Sequence, residues 1–496
     1  TSHYSLYSLV MEVTTPPLTR GIKLSYGVGQ AAEGIKNGAF NVFVFFYYTQ
    51  VLGLPTIYTG FAVGIALAFD AISDPLVGSL SDNWRSKLGR RHPFIYWSIL
   101  PLGLAFYGLF SPPELSEVAL FAWLTVFAVL TRVAMTLYHV PHVALGAELS
   151  EDFNERTEVV AYRYFFSYVG HMLTYFIGFF VFFSESQFDA SAYGPFALTM
   201  ALIMCTAVGI TARGTASRIP YLPQSKNAQT VRGLLPVLKR TFSELASALT
   251  NRSFRWLFCG VLVVYMMVGV DHALNLHMNT YFWELKSKGN LLFFMATPIG
   301  ALIGTLFARR FTVLFDKKPS ILVGTGCWAS CQVLPIVLRF MGILPENGTS
   351  ELLTTLIIIK FIQGFGVVQA LVAFNSMVAD IVDEHELQTR QRQEGIFFSA
   401  ISFSNKVTTG AGTVVAGLAL TLIDWPTGSA IQTATDVPAV TVAWLGWIYG
   451  PIVSGFAVVS IYCYSKYGLN RARHEEIVIR LKEMRAERAN AAASSG

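Results

Sequence analysis

The chain has 496 residues and a formal net charge of +5, with 53% hydrophobic and only 14% charged residues. Soluble proteins carry about 25% charged residues, so this composition excludes an ordinary soluble domain. The length provides room for about a dozen apolar spans of roughly 20 to 30 residues each. We therefore predict an all-α, multi-pass membrane protein.

The apolar runs fall into two sets of six. The first set covers residues 22–53, 57–80, 93–111, 117–147, 158–184 and 193–212. The second set covers 253–284, 290–314, 320–342, 351–380, 394–423 and 440–466. Two such sets around a polar interval are typical of a duplicated transporter, which predicts 12 transmembrane helices in two six-helix bundles. The expected divisions are a leader (1–20), an N-terminal bundle (21–213), a middle loop (214–252), a C-terminal bundle (253–466) and a tail (467–496).

Charge orients the predicted spans. Basic residues are concentrated in the loops at 85–91 and 309–318 and in the middle interval, whereas the intervening loops are neutral or acidic. By the positive-inside rule, both termini and the middle loop are cytoplasmic. The compact loops favour a bacterial inner membrane. The tail, from residue 471 onward, alternates charged and apolar residues and predicts a surface amphipathic helix.

Two carboxylates interrupt the second apolar run. Asp70 and Asp74 are four residues apart and therefore lie on one face of a helix. Because a carboxylate in hydrocarbon is costly, the pair must face a water-filled cavity, a cation or a basic partner. We predict a monovalent cation site, with Ser73 or the carbonyl freed by Pro75 completing the oxygen shell. A structural salt bridge, or proton coupling through one carboxylate, remains an alternative.

A lysine lies in the middle of the eleventh run. Lys406 is too deep in its span to reach the surface easily, and a buried ammonium needs a carboxylate. Asp70 and Asp74 are the expected partners. If the coupling cation and Lys406 compete for these acids, cation binding releases the lysine and shifts the conformational balance. A permanent ion pair is the structural alternative.

Further polar residues are spread over several spans and predict a central, water-filled substrate cavity. Arg163 begins the fifth span, where it either binds a polar group of the substrate or only holds the end of the helix. Glu33 and Lys36 are three residues apart and can neutralise each other. The predicted substrate-binding residues are Arg163, Glu33, His139, Lys36, Asn41 and Asp271.

Several motifs together resemble a known family. Asp70-x-x-x-Asp74-Pro75, followed by Ser81-Asp82 and residues 85–93, resembles the sodium–melibiose permease type of major facilitator protein. This is the glycoside–pentoside–hexuronide cation symporter family. Residues 148–163 and 380–406 are similar to other signatures of that family. Lysophospholipid symporters and sucrose–proton carriers are similar in architecture.

The resemblance implies a major facilitator fold in which Asp70 and Asp74 bind the coupling cation. It also implies that Lys406 lies beside them and that Arg163 lines the substrate cavity. Three positions depart from the permease pattern. Gly34 replaces a sugar-binding aspartate, and His139 with Val143 replaces an aspartate and a tryptophan, which argues against a galactoside as substrate.

We therefore expect a secondary transporter that couples Na⁺ or H⁺ to symport of a small sugar or glycoside by alternating access. An amphiphile such as a lysophospholipid is the alternative substrate. An ion channel or an intramembrane enzyme is an alternative of another class, but no filter loop, nucleophile–base pair or HExxH helix is present. The expected partners are the solute, the cation and the bilayer, with no nucleic acid and no cofactor. The five cysteines are interpreted as packing residues, and the protein is expected to work as a monomer.

Overall fold

The computed structural model describes residues 16–150, 152–223 and 234–494, and the described chain is helical throughout, without a β-strand. The first half contains α1 (Arg20–Ala39, continued by π-helical turns Phe40–Val44 and Tyr47–Val51), α2 (Thr56–Asn83), α3 (His92–Leu109), α4 (Glu117–Glu148), α5 (Phe153–Phe176, continued by Ile177–Phe182) and α6 (Ala190–Gly214). The second half contains α7 (Arg252–His277, continued by Met278–Phe282), α8 (Ser287–Phe315), α9 (Lys317–Phe340), α10 (Ser350–Thr389), α11 (Glu394–Leu422) and α12 (Ala439–Ser465, with a π-helical turn inside).

Two further helices lie outside these sets. A loop helix (Leu234–Ala248) follows α6, and a tail helix (Arg471–Ser494) follows α12. Within the described ranges, nine helices are long and apolar enough to cross a membrane. The other three long helices are α1, α3 and α11. They are less apolar, because α3 is a short helix that includes His92, Pro93 and Pro101 and because α1 and α11 carry polar and charged residues inside the protein.

Polar caps mark where several apolar runs begin. Each capping side chain accepts a hydrogen bond from a backbone N–H three residues further on, which satisfies one of the free donors at a helix start. The residues that do so are Thr19 before α1, Asp152 before α5, Asn251 before α7 and Thr349 before α10. The sequence thus sets these helix starts locally.

The helices pack as two bundles of six. In the first half α1 contacts α5 and α6, α2 contacts α4, and α3 contacts α4 and α6. In the second half α7 contacts α11 and α12, α8 contacts α10, and α9 contacts α10 and α12. The predicted fold of two six-helix bundles is therefore confirmed.

The main contact between the bundles is between α2 and α11, and it depends on glycine. A Cβ on Gly417 would lie 2.5 Å from the Thr56 carbonyl oxygen, and one on Gly60 would lie 3.0 Å from the Thr413 carbonyl oxygen. Small residues allow two helix backbones to approach this closely. The close approach brings Lys406 of α11 against the acids of α2.

Hydrogen bonds close one end of the space between the bundles. At the end opposite the middle loop, Thr49 Oγ1 lies 3.1 Å from His277 Nε2, and the Tyr281 hydroxyl donates to Gln50 Oε1 at 2.7 Å. The hydroxyls of Thr56 and Thr421 are 2.9 Å apart. These partners belong to different bundles, so the closure holds the two halves together at this end.

Candidate functional site

A cavity of about 510 Å³ lies between the two bundles. In the first half it is lined by α1, α2 and α4, and in the second half by α7, α9, α10, α11 and α12. Seven of the predicted site residues line it together: Glu33, Lys36, Asn41, Asp70, Asp74, His139 and Lys406. Helices that are far apart in sequence therefore contribute to one site.

The ammonium of Lys406 lies among the oxygens of the acid pair. Its Nζ is 2.5 Å from Asp74 Oδ2 and 3.2 Å from Asp70 Oδ1. It is also 3.5 Å from the Asp70 backbone oxygen. Two carboxylates and a carbonyl thus surround one positive charge, which is the environment that a small monovalent cation requires.

Two side chains of α4 complete this cluster, and the sequence analysis missed both. The Thr136 hydroxyl lies 2.9 Å from Asp70 Oδ1 and 3.1 Å from Asp74 Oδ1. The guanidinium of Arg132 lies 3.3 Å from Asp70 Oδ2 and 4.6 Å from the ring centre of Phe40. Arg132 was detectable because it is a charged residue in the middle of an apolar run, as Lys406 is. Thr136 gives no such signal.

Ser73 contacts the cluster from behind. Its hydroxyl donates to the Asp70 backbone oxygen at 3.2 Å and lies 3.1 Å from the hydroxyl of Thr136. It therefore positions groups that face the cavity.

The oxygens of this cluster fit a hard monovalent cation, because carboxylate, hydroxyl and carbonyl oxygens suit such ions. The positive charge of Lys406 must leave before a cation can use these oxygens.

Glu33 is held by neutral donors rather than by Lys36. Its carboxylate accepts hydrogen bonds from Gln30 at 3.1 Å and from Ser167 at 3.2 Å, and a third from Asn37. Gln30 in turn lies 3.4 Å from His139 Nε2. This network joins α1, α4 and α5 along the polar side of the cavity.

Arg163 and Asp271 are not among the described residues that line the cavity. The half-buried Arg163 guanidinium lies 5.1 Å from the ring centre of Tyr164. Asp271 Oδ1 accepts hydrogen bonds from Gln332 at 2.5 Å and from the Tyr449 hydroxyl at 2.6 Å. These contacts turn Asp271 towards α9 and α12, whereas the next residue, His272, faces the cavity.

Comparison with known proteins agrees with this geometry. Residues 25–471 match the family model described as MFS/sugar transport protein. The chain belongs to this family. It is a membrane transporter of the symporter class and not an enzyme, and the family resemblance predicted from its motifs is confirmed.

The names of two relatives of this transporter mention different substrates, a sugar and a lysophospholipid. It is 23% identical over 453 residues to the isoprimeverose transporter of Lactiplantibacillus pentosus, covering 89% of this chain and 88% of that protein. It is 24% identical over 501 residues to sodium-dependent lysophosphatidylcholine symporter 1 of Gallus gallus, covering 94% of this chain and 89% of that protein.

Solved structures show the same fold. The inward-open xylose transporter XylE from E. coli matches with a TM-score of 0.60 at 14% identity, covering 92% of this chain and 98% of XylE. The nucleoside transporter NupG matches with a TM-score of 0.58 at 14% identity, covering 90% of this chain and 98% of NupG. The predicted major facilitator fold is therefore confirmed.

Proposed function

We propose that this protein couples a monovalent cation, Na⁺ or H⁺, to the symport of a small sugar or glycoside-type solute through the cavity between its bundles. The observation that carries this proposal is the position of the Lys406 ammonium, 2.5 Å from Asp74 and 3.2 Å from Asp70. The lysine belongs to one bundle and the acids to the other. Any cation that replaces it changes a contact between the bundles.

The proposed cycle follows from this exchange. Without the cation, Lys406 pairs with both acids and keeps α2 and α11 together. A cation bound by Asp70, Asp74 and the Thr136 hydroxyl frees the lysine and removes that link. Because a ligand shifts a conformational equilibrium only through its different affinity for the two states, this exchange supplies the coupling. Protonation of an acid would break the same pair.

The solute binds beside this cluster. In this proposal Glu33, Lys36, Asn41 and His139 contact it from the first bundle. Arg163 and Asp271 hold neighbouring helices in the present conformation, and they contact the solute only in a conformation that turns them towards the cavity.

A lysophospholipid-type amphiphile is the second candidate, and one observation favours it. The cavity wall formed by α7, α9 and α10 is largely apolar, with side chains such as Val264, Val268, Trp328 and Leu371. An acyl chain fits such a wall better than the hydroxyls of a free sugar do.

The proposal includes the arrangement in the membrane. We place the protein in a bacterial inner membrane as a monomer, with both termini and the middle loop in the cytoplasm and with bundle boundaries at 21–213 and 253–466. The closed end is then the outer face, so the cavity belongs to an inward-facing state. No cofactor other than the coupling cation is involved.

Replacement of the acids tests the coupling. Asp74→Asn removes the charge that Lys406 and the cation share, so cation-stimulated uptake into proteoliposomes is expected to be lost while the melting profile stays cooperative. Lys406→Ala is expected to retain cation binding but to lose the dependence of solute uptake on the cation gradient. Glu114→Gln, in an exposed loop, is the matched control. Unchanged cation-stimulated uptake in Asp74→Asn would show that the pair does not drive transport.

A further inference from the structure

Lys36 is the basic residue of the cavity that has no acidic partner in the described chain. It lines the cavity, its residue is only 6% exposed, and it forms no hydrogen bond or ion pair within the described chain. Its neighbour Glu33 is instead held by Gln30, Asn37 and Ser167. An ammonium that faces the cavity without an acidic partner is open to a negatively charged group. The arrangement is explained if a transported group supplies the missing negative charge.

The formal charges of the cavity lead to the same conclusion. Its lining contains three acids and three basic residues. The acids are Glu33, Asp70 and Asp74, and the basic residues are Lys36, Arg132 and Lys406. With neutral imidazoles at His139 and His272, these six charges cancel. One bound Na⁺ or H⁺ leaves an excess of one positive charge, which a single negative charge on the solute would neutralise.

The two sides of the cavity differ in chemistry. All six formal charges come from α1, α2, α4 and α11, whereas the lining residues of α7, α9, α10 and α12 carry none. The apolar side chains of this second wall include Val264, Val268, Trp328, Leu371 and Phe374. An apolar body is therefore needed to fill the side opposite the charged group.

We propose that the transported solute is an amphipathic monoanion, whose acidic group pairs with Lys36 and whose apolar body packs against the wall formed by α7, α9 and α10. This inference rests on the proposed function, since it assigns the substrate class of the same cavity. The acidic group of the solute would then lie next to the cation cluster. Arg132 connects the two places, because it binds Asp70 and also stacks on Phe40, which is one helical turn from Lys36.

Four matched compounds distinguish the contribution of the solute's negative charge to binding from that of its apolar body. They are 4-methylumbelliferyl glucuronide, 4-methylumbelliferyl glucoside, free glucuronate and free glucose. Binding to the purified protein is measured by thermal shift in the presence of Na⁺, because a ligand that binds the folded state raises its melting temperature. We expect the aryl glucuronide to bind at least about tenfold more tightly than the aryl glucoside and than free glucuronate.

Variants locate the preference within the cavity. Lys36→Met keeps an unbranched apolar stem without the ammonium and is expected to remove the advantage of the glucuronide over the glucoside, while Lys36→Arg preserves it. Lys23→Met is the matched control, because Lys23 is also buried on α1 but is paired with Glu158 at 2.6 Å outside the cavity. It is expected to keep the preference. Val268→Thr should weaken the aryl glucuronide but not free glucuronate.

The ligand-free protein provides a second readout that does not depend on the choice of solute. Removal of an unpaired buried charge is expected to raise the melting temperature in Lys36→Met, whereas loss of an ion pair lowers it in Lys23→Met. A lowered melting temperature in Lys36→Met would show that the ammonium already has a stabilising role in the protein.

The outcomes distinguish this inference from the proposed function. Equal binding of glucuronide and glucoside, a preference that survives in Lys36→Met, or no binding of either acid would each overturn the monoanion. Tight binding of zwitterionic lysophosphatidylcholine that is unaffected by Lys36→Met would overturn it as well. Glucuronide binding and uptake that depend on Lys36 but on neither Na⁺ nor a proton gradient would instead overturn the coupling and leave this inference standing.

Discussion

Two basic residues of the site, Arg132 and Lys406, differ in whether their acidic partner lies in the same bundle. Arg132 and Asp70 belong to α4 and α2, which pack within one bundle, so their ion pair survives a rotation of the two halves. Lys406 and Asp74 belong to different bundles, so a rotation of the two halves would separate them. In the proposed cycle Arg132 is therefore a fixed charge that tunes the acid pair, whereas Lys406 is the exchangeable one.

Removal of Arg132 is expected to strengthen cation binding. In Arg132→Met, Asp70 loses a permanent positive neighbour at 3.3 Å, so the acid pair attracts a cation more strongly. A unit charge beside a partly buried site changes affinity by about 1.4 kcal/mol or more, or at least about tenfold. A Na⁺ titration followed by thermal shift measures this change. Arg132→Lys retains the charge and serves as control; an affinity that is unchanged or weaker in Arg132→Met would exclude the tuning role.

At the scale of residues, the sequence predicts which charged residues lie near the cavity better than it predicts which way their side chains point. Asp74 and Lys406 could be identified because a charge in an apolar run demands a partner, and Arg132 met the same criterion. Asp271 met it too, yet its side chain faces Gln332 and Tyr449 within the second bundle. One residue along a helix turns a side chain by about 100 degrees, and neither hydropathy nor spacing fixes that rotation.

At the scale of helices, the glycine contact between α2 and α11 sets the geometry of the site. A methyl group on Gly417 would lie 2.5 Å from the Thr56 carbonyl oxygen, which is backbone and cannot move aside easily. Gly417→Ala is therefore expected to destabilise the closed end by about 1–3 kcal/mol, as overpacking does. The measurement is the melting temperature of the purified protein.

Gly209→Ala in α6 is the matched control, because no atom lies within 4 Å of the added methyl group. Alanine is the better helix former, so this change is expected to raise stability by about 0.5–1 kcal/mol. If both variants melted at the same temperature as the parent protein, the close approach of α2 and α11 would not contribute to stability.

The long helices were predictable from apolar runs because hydropathy can be read along the chain without knowledge of tertiary contacts. The tail shows the limit of that approach. The predicted surface helix is present as Arg471–Ser494, but it does not lie free in solvent. Ile477 and Leu481 are buried against the second bundle, and Arg485 donates to Glu386 at 2.7 Å. The alternation of charges predicts the helix, but the partner of its apolar face is set by tertiary structure.

At the scale of the molecule, the sequence predicts two bundles, and the structure shows one of the arrangements that they can adopt. Duplication and charge bias predict the bundles and the membrane orientation. They do not predict which end is closed, because alternating access requires one sequence to support two arrangements of similar free energy. The closed end depends on neutral hydrogen bonds, such as those of Thr49 with His277 and of Gln50 with Tyr281, which can break and reform at modest cost.

The pair Thr56 and Thr421 allows this closure to be tested directly. Their hydroxyl oxygens are 2.9 Å apart on short side chains of α2 and α11, so cysteines at both positions are expected to meet the distance that a disulfide requires. Oxidation of the double variant Thr56→Cys/Thr421→Cys should lock this end and abolish solute uptake, and a reductant should restore it. The parent protein and each single variant control for its own free cysteines. Because alternating access requires this end to open once in every cycle, full uptake by the cross-linked protein would contradict it.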